Sequence, residues 1–526
     1  MTNIRHVLKV SLTCLALGLA AHAAPAAAQD LSIGLGSPIT SLDPHYANNS
    51  PNKALARHFF EAMIAFDDKL NLVPALATSW KRTSDTSWDF DLRKDVRFSD
   101  GTPMTADDVV VSFERAPAVP NSPASLALFT RSIAKVTAID PHKVRIETKY
   151  PDPLLPTMVP EILIIPAKLK DATTADYNSG KSMVGTGPFA FESYTAGDRL
   201  AMKRNDHYWG RKPDWSKVTL RFITNDASRV AALLSNDVQL IENVPPDLVE
   251  RVKKGGFNIV QSKPVLPVYV GFDVGRDITP DVSAVNPAPG ADTNPLRDKR
   301  VRQALSYGID RKAISERIQQ GTTAPAGQLL LDDLFGASPR VKPPAYDPNR
   351  AKALLAEAGY KSGLNITIHG PNDRLANDSR VVQSVAQMWN RIGVNAKAEV
   401  MPWSVYFPRV GKREFSVYLM SSGSIAEMAT ALNSVVVTYD PKNGKGVNNR
   451  GRYSNTKLDD LVNTAFLTLD DNKRRDLLQQ ASDVFAEEEP VMPLYFYSFS
   501  IATPKDIRYA PRLDQFTLAQ QAYRVK

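Results

Sequence analysis

Several short segments of the chain alternate hydrophobic and polar residues, which is the two-residue period of a half-buried β-strand. In 88–92 apolar side chains alternate with aspartates, and Val96 and Phe98 continue the pattern toward a turn at 99–101. We expect an antiparallel hairpin here. Further strands are predicted at 189–194 and 218–222.

Helices are predicted from apolar positions three and four residues apart and from the residues that begin and end them. Thr105 is the expected N-cap of one helix, because two aspartates follow it in the first turn. Asp347 and Pro348 begin another helix, and Gly359 ends it.

The second half of the chain alternates predicted strands and helices. The apolar stripe of 301–318 is interrupted near Gly308, which favours two consecutive helices. A helix at 381–392 follows a strand at 364–368 and precedes a strand at 394–400. This alternation is typical of an α/β lobe.

Composition limits the class of protein. The chain has 526 residues, more than the roughly 250–300 that one hydrophobic core supports, so two or three lobes are expected. With 43% hydrophobic and 23% charged residues, the composition is that of a soluble globular protein. The net charge of +8 is spread thinly along the chain, which argues against nucleic acid as a partner.

The first 28 residues have the parts of a signal peptide. A basic start and an apolar stretch at 10–21 precede small residues that offer a cleavage site near Ala28. The apolar stretch is shorter than the roughly 20 residues of a membrane-spanning helix. We therefore expect export to the periplasm and removal of 1–28, which also removes Cys14, the one cysteine.

No cluster of residues in the sequence identifies a metal site or an enzyme. The histidines do not stand at metal-ligand spacing, so neither a metal nor a cofactor is expected. Ser50 and Lys53 match the S-x-x-K pattern of exported penicillin-recognising enzymes, and 361–363 resembles their later K-T-G element. The competing interpretation makes Ser50 the N-cap of a helix with Pro51 at its first position.

Many motifs follow the order in which they occur in one family of transport proteins. They lie at 41–45, 61–63, 72–80, 88–108, 185–189, 204–209, 298–305 and 347–360, and they include F-S-D-G-T-P at 98–103 and G-T-G-P-F at 185–189. Over essentially the whole mature chain, the sequence resembles the solute-binding proteins of family 5 of bacterial ABC importers, the peptide-, dipeptide-, oligopeptide- and nickel-type proteins.

The resemblance implies an α/β fold like that of the type II periplasmic binding proteins. Two α/β lobes would surround a ligand cleft, and one lobe would carry an additional inserted subdomain. The expected division is 30–69, 184–270 and 491–526 for lobe I, 70–183 for the inserted subdomain, and 271–490 for lobe II. Hinges are expected near 270–271 and 490–491, beside Gly271 and Pro490.

The same resemblance suggests ligand-binding residues on both lobes. They are Asn48, Asn49 and Ser50 after the first strand, Trp403 and Tyr406, Ser421, Ser422, Gly423 and Glu427, Arg450, and Tyr495 and Tyr497 near the return crossing. The aromatic side chains either enclose part of the solute or belong to the core. Arg450 and the nearby Arg452 either pair with a ligand carboxylate or lie at the surface.

Peptide binders of this family commonly carry an aspartate that pairs with the α-amino group of the peptide. The sequence lacks an aspartate in the matching loop, so Glu427 either substitutes for it or is a solvated helix residue. The sequence therefore leaves two alternatives: the solute is held by a free peptide N-terminus, or it is held without one.

The expected function is the substrate-binding component of an ABC importer, without catalysis of its own. It would capture a peptide or peptide-like solute by hinge closure and deliver it to the membrane permease with its ATPase subunits. A monomer is expected. The alternatives are a different solute, namely a sugar, an opine or a muropeptide, or an exported hydrolase.

Overall fold

Two mixed seven-stranded sheets organise the computed structural model, which describes residues 30–286, 293–423 and 427–525. The first sheet contains, in spatial order, Asn258–Gln261, Ser500–Thr503, Leu240–Glu242, Asp30–Leu35, Lys217–Phe222, Arg199–Arg204 and Phe189–Thr195. The second contains Val282–Ala284, Leu364–Pro371, Val417–Ser421, Leu266–Phe272, Val491–Tyr497 and Thr323–Pro325, with Asn395–Met401 beside Leu364–Pro371. We call the parts that carry these sheets the first and second lobes, and we count residues 36–188 with the first lobe because the chain forms them between two strands of the first sheet, Asp30–Leu35 and Phe189–Thr195. The expected signal peptide and Cys14 lie outside the described residues.

A four-stranded antiparallel sheet stands apart from both. Its strands are, in order, Ala77–Ser84, Ser87–Leu92, Lys143–Thr148 and Ile133–Asp140. The predicted strand at 88–92 is confirmed, but its neighbours are the first and third of these strands. Val96 and Phe98 lie buried beyond that strand and lead into the predicted turn at 99–101, across which Arg97 forms an antiparallel bridge with Pro103 and the Met104 N–H donates to the Val96 carbonyl at 3.1 Å. The antiparallel pairing across this turn is therefore local and does not involve the strand Ser87–Leu92. Two short hairpins pair Ile64–Phe66 with Leu72–Pro74 and Ile507–Tyr509 with Ala522–Arg524.

Helices cover the faces of the sheets. The α-helices of the described residues are Ser50–Ala56, Ala106–Arg115, Ala127–Thr130, Leu155–Met158, Thr174–Asn178, Asp226–Leu234, Val249–Lys254, Lys299–Tyr307, Arg311–Ala313, Pro348–Glu357, Asp378–Asn390, Trp403–Gly411, Met428–Val435, Thr456–Leu467 and Asp471–Glu488, and a π-helix at Ile314–Ile318 extends one of them. The two consecutive helices predicted within 301–318 are confirmed, as is the helix predicted near 381–392.

Capping residues were predicted well, with one exception. The Thr105 backbone N–H donates to Asp108 Oδ2 at 2.7 Å, and the Arg350 N–H donates to Asp347 Oδ1 at 2.9 Å. Ser50, by contrast, is already helical. The N-cap is Asn49, whose Oδ1 accepts from the Asn52 N–H at 3.0 Å. An asparagine caps as well as a serine, and it stands one residue earlier.

Two strands lie in a different sheet from the one that the sequence suggested. Leu266–Phe272 and Val491–Tyr497 are buried along their whole length and pair with each other in the second sheet. The sequence assigned 266–270 and all of 491–497 to lobe I. The chain passes between the two sheets at 262–265 and again at 498–499, where the Ser262 N–H donates to the Phe499 carbonyl at 2.8 Å.

Candidate functional site

A cavity of about 680 Å³ lies between the two lobes. One wall consists of residues from 48–66, 128–129 and 157–163, the opposite wall of residues from 422–448, and residues from 512–521 complete the lining. Small-ligand sites in proteins typically have volumes of roughly 300–1,000 Å³. The cavity is therefore large enough for a solute of several amino acid units.

Six of the predicted site residues line this cavity and six do not. Those that line it are Asn48, Asn49, Ser50, Ser422, Gly423 and Glu427. Those outside its lining are Trp403, Tyr406, Ser421, Arg450, Tyr495 and Tyr497. The sequence thus predicted cavity-lining residues in the segments that follow strands, whereas the aromatic residues that it suggested lie outside the lining.

On the first lobe, the helix Ser50–Ala56 and its C-cap Arg57 bring charged side chains to the cavity wall. Lys53 Nζ lies 2.8 Å from Glu161 Oε2, and an Arg57 Nη atom lies 3.6 Å from the same oxygen. Burial alone would raise the pKa of Glu161, but the charges of Lys53 and Arg57 hold it below its ordinary value. The two cations are therefore largely neutralised by a carboxylate of the protein.

On the second lobe, Glu427 is engaged by an arginine of the protein. Arg474 Nη1 donates to both of its carboxylate oxygens, at 3.0 and 2.7 Å, and both side chains are less than a tenth exposed. Burial raises the pKa of Glu427, and the charge of Arg474 opposes that rise. Glu427 is buried and ion-paired, so the expectation that it is a solvated helix residue was wrong.

Glu61, a further carboxyl on the cavity wall, was missed as a functional candidate. Glu61 Oε2 accepts from Trp209 Nε1 at 2.8 Å, and Glu61 Oε1 accepts from the Tyr208 hydroxyl at 3.3 Å. Burial raises the pKa of Glu61 from 4.5 to about 7, although these hydrogen bonds and Arg93 oppose the shift. The sequence showed Glu61 only as part of a family motif, because its partners lie almost 150 residues away.

The three predicted tyrosines belong to the core rather than to the cavity wall. The Tyr406 hydroxyl donates to the Leu419 carbonyl at 2.8 Å, and Gln319 Nε2 donates to the Tyr495 hydroxyl at 3.3 Å. Both side chains are fully buried, and Tyr497 is 6% exposed. The expectation that these residues enclose a ligand is replaced by the alternative of core packing.

Trp403 packs on another aromatic ring, and the predicted Arg450 and the nearby Arg452 differ in whether they form an ion pair. The Trp403 ring stacks on Phe407 with 4.7 Å between ring centroids. Arg452 forms an ion pair with Asp273 at 3.3 Å, whereas Arg450 forms no ion pair within the described residues. Arg450 is also buried, so the expectation of a surface role is wrong for it.

The lobes touch each other beside the cavity. Arg131 Nη1, from the part of the first lobe that carries the four-stranded sheet, donates to the Asn443 carbonyl of the second lobe at 2.6 Å. Leu154 is 2% exposed and packs in the core cluster that contains Met428 and Leu432. These contacts close one side of the cavity, so the structure shows the two lobes in contact around it.

Two kinds of feature are absent from the residues that the structure describes. Within 30–286, 293–423 and 427–525, no three histidine, cysteine, aspartate or glutamate side chains are grouped as a metal site would require. None of the helices in the same ranges combines the length and the apolar character needed to cross a membrane.

Comparison with known proteins identifies relatives along most of the chain. The family model of the bacterial extracellular solute-binding proteins, family 5 (middle part), matches residues 71–444. The glutathione-binding protein GsiB of Shigella flexneri serotype 5b is 27% identical over 516 residues, which cover 96% of each chain.

Solved structures show the same fold. The periplasmic binding protein DppA of Helicobacter pylori, in complex with the peptide STSA, has a TM-score of 0.78 at 21% identity and covers 95% of this chain and 98% of its own. The murein tripeptide binding protein MppA of Escherichia coli has a TM-score of 0.76 at 23% identity and covers 95% and 99%. The predicted α/β fold of the type II periplasmic binding proteins is thereby confirmed.

Proposed function

The chain belongs to family 5 of the bacterial extracellular solute-binding proteins, and from this premise we propose that its cavity captures a peptide or peptide-like solute for an ABC importer. The observation that carries the proposal is the cavity of about 680 Å³, which residues of both lobes enclose. A solute in this position contacts both lobes at once. Binding therefore favours the closed arrangement over the open one.

The chemistry of the cavity wall suits the repeating amide groups of a peptide. Neutral donors and acceptors come from both lobes, and they include Asn48, Ser422, Asn433, Ser434 and Asn448. The relatives described above are named for glutathione, a bound peptide and a murein tripeptide, all of which contain peptide bonds. Amide and hydroxyl side chains can bond both the N–H and the C=O groups of such a solute.

The amino-group anchor is proposed to differ from that of the common peptide binders. Glu427 lines the cavity, but Arg474 occupies both of its carboxylate oxygens. We propose that this pair positions the loop at Ser422 and Gly423 rather than binding the α-amino group of the solute.

Closure requires a hinge, and the paired crossings are its proposed position. The segments 262–265 and 498–499 are the two crossings between the sheets, and they are joined by the hydrogen bond from Ser262 to Phe499. Two short adjacent segments that absorb backbone rotation are the usual form of a hinge between lobes. We propose these two segments as the hinge in place of the positions that the sequence suggested, near 270–271 and 490–491.

The cellular setting follows from the same proposal. The mature protein begins after cleavage near Ala28, acts in the periplasm as a monomer, and delivers its solute to an integral-membrane permease with ATPase subunits. It has no catalytic step of its own. The bound solute leaves the cavity unchanged.

The proposal is tested by thermal unfolding of protein refolded free of ligand, with glutathione, peptides of two to five residues, an opine and a disaccharide as probes. Glutathione or peptides are expected to raise the unfolding temperature, by mass action on the folded state. A rise with the opine or the disaccharide alone would overturn the peptide assignment and leave the binding role intact.

A pair of glycine variants shows whether the cavity is the site. Gly423 lines the cavity, and a Cβ added there meets no atom of the described residues within 4 Å, so Gly423→Leu is expected to extend into the cavity without a clash at its first carbon. Gly411 ends the helix Trp403–Gly411 with equally open space around its Cβ, but it lies outside the cavity lining. The expected result is loss of peptide binding in Gly423→Leu and retention in Gly411→Leu.

A further inference from the structure

Two large apolar side chains of the cavity wall are exposed. Leu128 of the first lobe is 41% exposed and Val447 of the second lobe is 48% exposed, and both line the cavity. Large apolar side chains of the described residues are mostly buried, because contact with water is unfavourable for them. A single exposed apolar residue on an outer surface needs no explanation, but two on opposite walls of one cavity do.

The segment that carries Leu128 is fastened to the first lobe. Its short helix, Ala127–Thr130, follows Ala124, whose carbonyl accepts from the Asn48 N–H at 2.7 Å, and Asn48 itself lines the cavity. Leu126, directly before the helix, is 2% exposed and packs in the core of the four-stranded sheet. Leu128 is therefore exposed on a segment that is held in place on both sides.

The backbone around Val447 is held in a similar way. The N–H groups of its two chain neighbours donate to the carbonyls of Asn433 and Ser434, each at 2.8 Å. Both carbonyls belong to the helix Met428–Val435. These hydrogen bonds fix the position of Val447 at the cavity wall.

The contact between the lobes brings the two segments together. Arg131, three residues after Leu128, donates at 2.6 Å to the carbonyl of Asn443, four residues before Val447. Gly444, which lines the cavity, approaches the same arginine so closely that an added Cβ would lie 1.8 Å from its Nη1 atom. Leu128 and Val447 therefore flank the same inter-lobe contact.

Other residues of the lining make this part of the cavity apolar. Phe129 and Met158 also line it, and Met158 packs against the core of the second lobe. Lys53 Nζ lies 5.6 Å from the centre of the Phe129 ring, but Glu161 engages its charge at 2.8 Å. A charged group of the solute would lose its water here, whereas an apolar group is stabilised by leaving water.

We propose that Leu128 and Val447 form an apolar subsite that takes an uncharged aliphatic or aromatic side chain of the solute. The closed lobes enclose this side chain between the two residues, and Phe129 and Met158 complete the pocket. The inference rests on the proposed function and narrows it, because the solute is then a peptide or peptide-like molecule with an apolar residue. Glutathione, which has no aliphatic or aromatic side chain, leaves the subsite empty.

Tripeptides test the subsite, because one residue can be varied at a time. The probes are trialanine and the tripeptides that carry leucine, phenylalanine, lysine or aspartate at one of the three positions, titrated calorimetrically into ligand-free protein. Each methylene that enters an apolar pocket raises affinity about fourfold. At one position, leucine is therefore expected to bind about 10–60-fold more tightly than alanine, and lysine and aspartate no more tightly than alanine.

The same titrations on variants assign the preference to the two residues. Leu128→Ser, Val447→Ser and the double variant are expected to reduce the preference for leucine, in the double variant to about threefold or less. Leu467→Ser and Val405→Ser are the matched controls, because these residues are 52% and 49% exposed and lie outside the cavity lining. The controls are expected to keep the wild-type preference. An unchanged preference in the double variant, or an equal loss in the controls, would overturn the subsite.

Capped amino acids separate a failure of the subsite from a failure of the peptide assignment. N-acetyl-leucinamide and N-acetyl-alaninamide carry no charge, and saturation-transfer NMR detects their contact with the protein. If no tripeptide binds but N-acetyl-leucinamide contacts the wild type and not the double variant, the subsite stands and the peptide assignment fails. If tripeptides bind without a preference for leucine, the peptide assignment stands and the subsite is overturned. The subsite is also overturned if none of these probes acts through Leu128 and Val447.

Discussion

Glu427 Oε2 lies 2.7 Å from Arg474 Nη1, in an ion pair that spans 47 residues of sequence and is almost fully buried. The ion pair joins Glu427, which lines the cavity, to the helix Asp471–Glu488. Glu427, the carboxylate considered for binding a peptide amino group, is therefore already paired with an arginine of the same lobe.

Glu427→Gln is expected to lower the free energy of unfolding by roughly 2–3 kcal/mol, because it leaves the Arg474 charge buried with only the exposed Asp471 as a partner. Urea denaturation of the variant and the wild type measures the difference. Affinity for a peptide and for its N-acetylated form should fall by the same factor. A loss confined to the free-amino peptide would show that Glu427 binds the amino group after all.

The helix start at the cavity gives a prediction about catalysis. Ser50→Ala is expected to change the free energy of unfolding by less than about 0.5 kcal/mol, because Asn49 provides the cap. Asn49→Ala, the matched variant, should cost about 1 kcal/mol. Mass spectrometry of the solute after incubation should find it intact with both proteins. Hydrolysis by the wild type that Ser50→Ala abolishes would instead establish the enzyme.

Glu61 predicts a dependence of stability on pH. The folded protein keeps its proton up to about pH 7, whereas an unfolded chain releases it near pH 4.5. Its contribution is therefore complete below pH 4.5 and is lost as the pH rises through about 7, on the order of 3 kcal/mol. Glu61→Gln should flatten the fall in the urea midpoint across this window. Asp378 and Glu489, whose pKa values burial also raises to about 7, should leave a residual slope.

The neighbouring Glu161 is the control for that experiment. Its pKa lies below the ordinary value, so its contribution is present at neutral pH and is lost as the pH falls through the folded-state pKa. Glu161→Gln should therefore lower the urea midpoint at pH 7 and leave the slope between pH 5 and 7 unchanged. A wild-type slope in Glu61→Gln would refute the assignment.

The contact from Arg131 to Asn443 predicts an effect on closure. Arg131→Ala removes a hydrogen bond that exists only when the lobes touch, so affinity for the solute should fall about two- to tenfold. Gly444→Ala should act in the same way, because its Cβ would lie 1.8 Å from Arg131 Nη1. Small-angle scattering of both should show a larger radius of gyration without ligand. Lys135→Ala, on an exposed position of Ile133–Asp140, should match the wild type.

Local signals explain which parts of the fold the sequence predicted. The helices capped by Thr105 and Asp347 depend on residues within one turn of each other, so their ends can be identified without the fold. Leu266–Phe272 and Val491–Tyr497 are apolar on both faces, and such strands carry no period that names their partner. Their place in the second sheet is decided by pairing over more than 200 residues of chain.

The same distinction between local signals and distant contacts applies to the residues of the candidate site. Asn48 and Ser422 follow strands and line the cavity, as the family pattern suggested. Tyr406 and Tyr495 fit core packing and ligand contact equally well in sequence, and only their buried hydroxyl partners decide between the two. Arg450 is buried without an ion pair within the described residues. The sequence could not predict this, because it depends on which side chains distant segments bring to Arg450.

The most direct test of the central claim is mass spectrometry of the small molecules released by denaturing the mature protein purified from the periplasm of cells that produce it. A peptide or peptide-like solute is expected in wild-type protein and is expected to be absent from Gly423→Leu. A sugar, or any solute retained equally by Gly423→Leu, would contradict it.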